Sequence, residues 1–153
     1  VGNSDEVLVN WDAIKKKTKS QTTQTEVLQS VSKALPALMR SEKVQRKAAK
    51  VGFDWPDVSG ALDKVAEETG ELQQAIVSGS QEDREEELGD LLFSVVNVAR
   101  FLEVEPEEAL SRSCDKFISR FQKMEQLAAV LEIDLPSRTL EQLDLLWNKI
   151  KTN

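Results

Sequence analysis

Two carboxylate pairs are the first residues whose type and spacing suggest chemistry: Glu68 with Glu71, and Glu87 with Asp90. The members of each pair are three apart, so on a helix they share a face. Between the pairs lies Ser78-Gly79-Ser80, a break that turns the chain back on itself. Glu71 and Glu87 lie equally far from Gly79, as do Glu68 and Asp90, so an antiparallel hairpin sets all four at one height. Helix rotation then decides whether they converge. Carboxylates gathered without a cation repel and raise one another's pKa, whereas oxygen-rich clusters suit the hard cations magnesium and manganese. A lone Glu pair in an acidic chain is ordinarily a solvated face; two pairs in register favour the metal. Gly70 and Gly89 sit one inside each pair. Each costs about 1 kcal/mol against Ala in a helix interior, which a close helix approach would justify.

Composition narrows the chemistry. The 153 residues include no histidine and one cysteine, Cys114. A Ser-His-Asp or Cys-His relay, a Cys/His zinc site and an intrachain disulfide are therefore excluded within this chain. Acid–base work falls to carboxylates, lysines or water, and a reducing, cytoplasmic compartment is expected. The formal charge of -7 disfavours nucleic acid as a partner. No apolar run approaches a membrane span, and no signal-peptide pattern is present.

The elements that must position these acids read as helices throughout. Straight-chain residues dominate and aromatics are only 5%. Pro36 suits the first turn of a helix that Gly52 would close. After Trp55-Pro56 a helix is expected over 57–77, with an apolar stripe of Val58, Leu62, Val65, Leu72 and Ile76. Ser80 with Asp83 resembles a capping box and starts the next helix, which should bury Leu88, Leu91, Leu92, Val95, Val98, Ala99 and Leu102. Pro106 opens a long helix to about 131, and Thr139 with Gln142 can cap a last one. The fold class is all-α, an antiparallel helical bundle around the hairpin that carries the two acid pairs. Residues 1–33, with Lys15-Lys16-Lys17 and the polar run Thr18 to Thr25, read as a leader or linker, and 34–153 as the domain.

The pattern ExxE, hairpin, ExxD and hydrophobic helix resembles the MazG-type proteins of the all-α NTP pyrophosphatase group. Leu35-Pro36-Ala37-Leu38-Met39-Arg40, Val51-Gly52-Phe53-Asp54-Trp55, Lys64-Val65-Ala66-Glu67-Glu68 and Gly89-Asp90-Leu91-Leu92-Phe93 extend the likeness. So do Val96-Asn97-Val98-Ala99-Arg100, Lys116-Phe117 and Arg120-Phe121. The likeness, from about residue 34 to the end, is to the C-terminal catalytic half of the long, two-domain members. Residues 1–33 look like the segment joining the two halves, which implies an upstream domain, and a start at Val1 rather than Met is expected of a fragment or a processed chain.

The resemblance implies hydrolysis of nucleoside triphosphates to monophosphate and pyrophosphate. It places magnesium, for which manganese can substitute, on Glu68, Glu71, Glu87 and Asp90. It places Lys64, Lys116 and Arg120 at the nucleotide, Trp147 near it with Lys151 beside, and Arg84 near a contact position. Without histidine, Glu67 or Glu68 is the expected base. Asn97 in an apolar stripe either binds substrate or satisfies a neighbouring helix. Trp147 and Trp55 either stack on a base or anchor a core. Periodicity alone would leave Lys116 and Arg120, extended by Lys123, as a solvated face. Relatives assemble as dimers, so a homodimer or higher homo-oligomer is expected. The rivals are a base-specific dUTP, dCTP or phosphoribosyl-ATP pyrophosphohydrolase, and a non-catalytic nucleotide-binding helical dimer. Nucleic-acid binding through the lysine-rich leader is a weaker third.

Overall fold

The computed structural model describes residues 22–152, among which there are six α-helices and no strand. They are α1 (Gln24–Gln29), α2 (Ala37–Ala49), α3 (Val58–Ser78), α4 (Gln81–Phe101), α5 (Pro106–Val130) and α6 (Leu140–Lys151), with a 3-10 turn at Leu135–Ser137. The Lys15–Lys17 run and most of the leader lie outside the described residues. Its last part does not read as helix from composition, yet α1 forms there because the Thr23 hydroxyl accepts from Glu26 N–H and caps it.

The expected punctuation holds. Asp57 caps α3 by accepting from Ser59 N–H at 2.8 Å. Ser80 and Asp83 exchange side-chain and backbone bonds as a capping box for α4, and Thr139 and Gln142 do the same for α6. Gly79 carries the hairpin: a Cβ there would meet the Ala75 carbonyl oxygen at 2.7 Å. The Arg84 guanidinium donates to the Ala75 and Ile76 carbonyls, closing the C-terminal end of α3. Arg84 is thus engaged by the hairpin itself.

The chain divides into two compact units, one ending at Pro106 and the other beginning at Glu107. In the first, α3 packs along α4, α4 also meets α2, and α1 meets α2. The hairpin buries mainly small or polar side chains: Ala61, Ala75 and Glu68 from α3, Ser94 and Val96 from α4. Here the expected core needs correcting. Leu62, Ile76, Leu88, Leu92, Val95 and Leu102 are about half exposed, because α3 and α4 meet through the narrower face and leave the large stripe outward. Gly70 and Gly89 are likewise not sites of close approach, since a Cβ at either would meet nothing within 4 Å. In the second unit, Met124, Ala128 and Leu146 are buried, with Leu143, Trp147 and Ile150 packed around them.

Candidate active site

Lys64 and Glu68 are four residues apart on α3 and so share a face, while Glu87 and Asp90 come from the facing stretch of α4. The register set by Gly79 brings them level. One carboxylate oxygen from each of Glu68, Glu87 and Asp90 lies within 4.8 Å of the others. Glu68 is only 7% exposed, Glu87 is half-buried and Asp90 is exposed, so the trio runs from the interior to the surface. Glu71 stands outside that trio, yet close enough for its charge to act on Glu87.

Partial desolvation, and then the charges of Asp90, Glu68, Glu71 and Glu86, push the Glu87 carboxyl above the usual range. Lys64 supplies a counter-charge: its Nζ lies 2.8 Å from Glu68 Oε1 and 3.1 Å from Glu67 Oε1. Those bonds, Glu68 first, hold the ammonium more firmly protonated than a free lysine. The trio's donors are all oxygens, they converge at one height, and the field around Glu87 is net negative. Such a set fits a hard divalent cation such as magnesium.

Lys64, Glu68 and Asp90 also border a cleft of about 630 Å³ built from α1, α2, the loop after α2, α3 and α4. Its existence depends on the end of α2. Gly52 takes φ +88, a left-handed conformation that glycine adopts without strain, and Phe53 N–H donates back to the Ala48 carbonyl. The chain is thereby aimed so that Phe53, Asp54 and Trp55 line the cleft opposite Phe93 and Asn97. Gly60 makes room for this loop, because a Cβ there would meet the Trp55 ring at 2.9 Å.

Arg100 organises the polar part of the cleft. Its Nη1 and Nη2 donate to the two Asp54 carboxylate oxygens at 3.1 and 2.8 Å, and Nε donates to Gln45 Oε1 at 3.2 Å. Nη2 also donates to Asn97 Oδ1 at 2.7 Å. Gln45 in turn donates from Nε2 to the Phe93 carbonyl at 2.9 Å. The Arg100 hydrogen bonds hold the Asp54 carboxyl below the ordinary carboxylate range, against a smaller opposing effect of burial.

Of the site residues expected from sequence, Lys64, Glu67, Glu68, Glu87, Asp90 and Asn97 come together in the first unit, with Glu71 beside them. Lys116 and Arg120 lie on α5 and Trp147 and Lys151 on α6, in the second unit. There Trp147 packs on the buried cluster, with its ring centroid 5.2 Å from that of Phe117. Sequence reasoning gave no chemical role to Gln45, Asp54 or Arg100. The available signal was a charged residue, Arg100, three positions beyond Asn97 on a helix otherwise apolar at that end.

An all-α hairpin thus gathers carboxylates from two facing helices beside a lysine, a set of hard oxygen donors with one cation next to it. Residues 58–124 match the family model of the MazG nucleotide pyrophosphohydrolase domain. It is 40% identical over 153 residues to a nucleoside triphosphate pyrophosphohydrolase of Escherichia coli K12, covering 97% of this chain and 57% of that protein. It is 40% identical over 141 residues to the nucleoside triphosphate pyrophosphohydrolase/pyrophosphatase MazG of Thermotoga maritima, covering 92% of this chain and 54% of the relative. An uncharacterized Bacillus subtilis protein, YabN, is 46% identical over 152 residues, 99% of this chain and 31% of its own length. The chain therefore spans little more than half the length of the Escherichia and Thermotoga relatives.

Proposed function

We propose that this chain hydrolyses nucleoside triphosphates to the monophosphate and pyrophosphate, using magnesium held by Glu68, Glu87 and Asp90 with Glu71 beside them. The observation that carries this reading is the convergence of three carboxylates, two of which line a nucleoside-sized cleft. The names of the relatives agree with it. Bound there, magnesium, or manganese in its place, would offset the triphosphate charge and acidify a water.

The chain's own residues supply the rest. Lys64, which now bridges Glu67 and Glu68, can exchange a carboxylate for a phosphate oxygen while remaining charged. With Glu68 committed to the trio, Glu67 is the exposed carboxylate left to accept a proton from water. The water oxygen bonds to the α-phosphorus, the α–β anhydride bond breaks, and pyrophosphate leaves with the electron pair. Lys116, Arg120, Trp147 and Lys151 belong to the nucleotide's surroundings by family resemblance, and Asn97 by its place in the cleft.

A second copy of this chain is the partner we assign to the outward leucine faces of α3 and α4, so the working enzyme is a homodimer or a higher assembly. No helix among the described residues is long and apolar enough to cross a membrane. We place the enzyme in the cytoplasm, acting on the nucleotide pool. A base-selective enzyme for dUTP, dCTP or phosphoribosyl-ATP is the second reading, favoured by the rigid Arg100 network in the cleft.

Incubation with magnesium and a panel of NTPs and dNTPs, with products separated by chromatography, tests the activity. Monophosphate and pyrophosphate should form, and Glu68→Ala and Asp90→Ala should lower kcat at least about a hundredfold if they hold the metal. A folded protein that turns over none of the panel would refute the hydrolase and leave a nucleotide-binding module.

A further inference from the structure

We infer that the cleft beside the carboxylate trio is the nucleoside pocket, and that Asn97 is locked there as a hydrogen-bond donor that reads a carbonyl oxygen of the base. The inference rests on the preceding assignment of the trio to the phosphate end of the substrate.

Distance sets the placement. Asn97 lies seven residues beyond Asp90 on α4, two turns along nearly the same face and a rise of ~10 Å. That is comparable with the span from an α-phosphate to the far edge of its base. A volume of about 630 Å³ lies within the range of small-molecule pockets. The walls offer Phe53, Trp55 and Phe93, whose flat faces suit a heterocycle. Phe53 is 83% exposed at this cleft, so a stacked ring would take its apolar surface out of water.

The donor assignment follows from elimination. Arg100 has only donors, so the Asn97 atom 2.7 Å from its Nη2 is the carbonyl oxygen. Arg100 cannot swing away cheaply, since Asp54 holds it at two points and Gln45 at a third. Gln45 cannot flip either, because its Nε2 donates to the Phe93 carbonyl. Asn97 is left offering the two Nδ2 hydrogens, for which no partner is found among the described residues. A free amide would rotate to suit either a donor or an acceptor. A clamped one favours an acceptor and leaves an opposing amino group without a partner. Adenine's edge sets its ring-nitrogen acceptors N1 and N7 beside the N6 amino group, which a clamped donor cannot satisfy, so bases with an exocyclic oxygen, such as uracil and guanine, should be preferred.

The test is calorimetric binding of non-hydrolysable α,β-methylene UTP and ATP, with magnesium, to the whole chain and to two variants. Wild type should bind the UTP analogue about tenfold more tightly, the scale of one hydrogen bond. Asn97→Asp keeps an oxygen for Arg100 but replaces the donors with a second oxygen, and should reverse the preference toward ATP. Asn97→Ala should bind both analogues alike. Equal binding of both analogues by wild type, or an unchanged preference in folded Asn97→Asp, overturns the inference. A preserved binding preference without hydrolysis of UTP or ATP would instead overturn the hydrolase reading and leave the pocket standing.

Discussion

Arg100 keeps only 8% of its side chain exposed, yet it carries a full charge. Burying a guanidinium is costly unless its donors are met, and Asp54, Gln45 and Asn97 meet them. Removing the Asp54 charge should thus be felt well beyond the exposed loop that carries it. Asp54→Asn is expected to cost about 2 kcal/mol at pH 7, the scale of hydrogen bonds to a charged group, measured by urea unfolding. The sign with pH follows from the lowered folded pKa. The Asp54 contribution is complete above its unfolded value near 3.8 and is lost as pH falls through the lower folded value. The gap between wild type and variant should therefore close on the acid side of about pH 4, and a gap that persisted there would argue against the ion pair. At this scale the acids were legible, because three-residue spacing and a symmetric turn predict their meeting. The Arg100 network was not, since its partners Asp54 and Gln45 lie 46 and 55 residues away and no local pattern links them to it.

The helices themselves were the most legible feature. Ser80 with Asp83 and Thr139 with Gln142 announce helix starts through bonds made within four residues, and those bonds form. What sequence could not show was which side of an amphipathic helix meets its neighbour. α3 and α4 pack through Ala61, Ala75, Ser94 and Val96, while Leu88, Leu92, Val95 and Leu102 line an outward face of α4 at heptad-like spacing. Such a seam is costly to leave in water, at about 25 cal/mol per Å² of apolar surface. If a second copy covers it, light scattering should give at least twice the 17.1 kDa chain mass. Leu92→Glu should return a folded monomer, because a charge would have to be buried in the seam. A wild type that stays at the chain mass at high concentration would contradict the dimer. Gly70 and Gly89 belong to the same lesson: both are open in the single chain, so the crowding expected of them is absent there.

At the scale of the molecule, a chain of net charge -7 would need a cation at the meeting point to handle the proposed triphosphate. The first unit gathers the carboxylates, Lys64 and the cleft; Lys116, Arg120 and Lys151 are carried by the second. The carboxylate trio is central here, since partial desolvation and then the neighbouring acid charges raise Glu87 above the usual carboxylate range when no cation is bound. A bound cation should reverse that penalty and stabilise the folded state by mass action. The most direct measurement is thermal unfolding of wild type, Glu87→Gln and Asp90→Asn across a magnesium titration. Wild type should gain several degrees in Tm as magnesium rises to the millimolar range, while the two variants should melt at or above the metal-free wild type and gain little. An equal rise in all three proteins, or none in wild type, would contradict a metal held by these carboxylates.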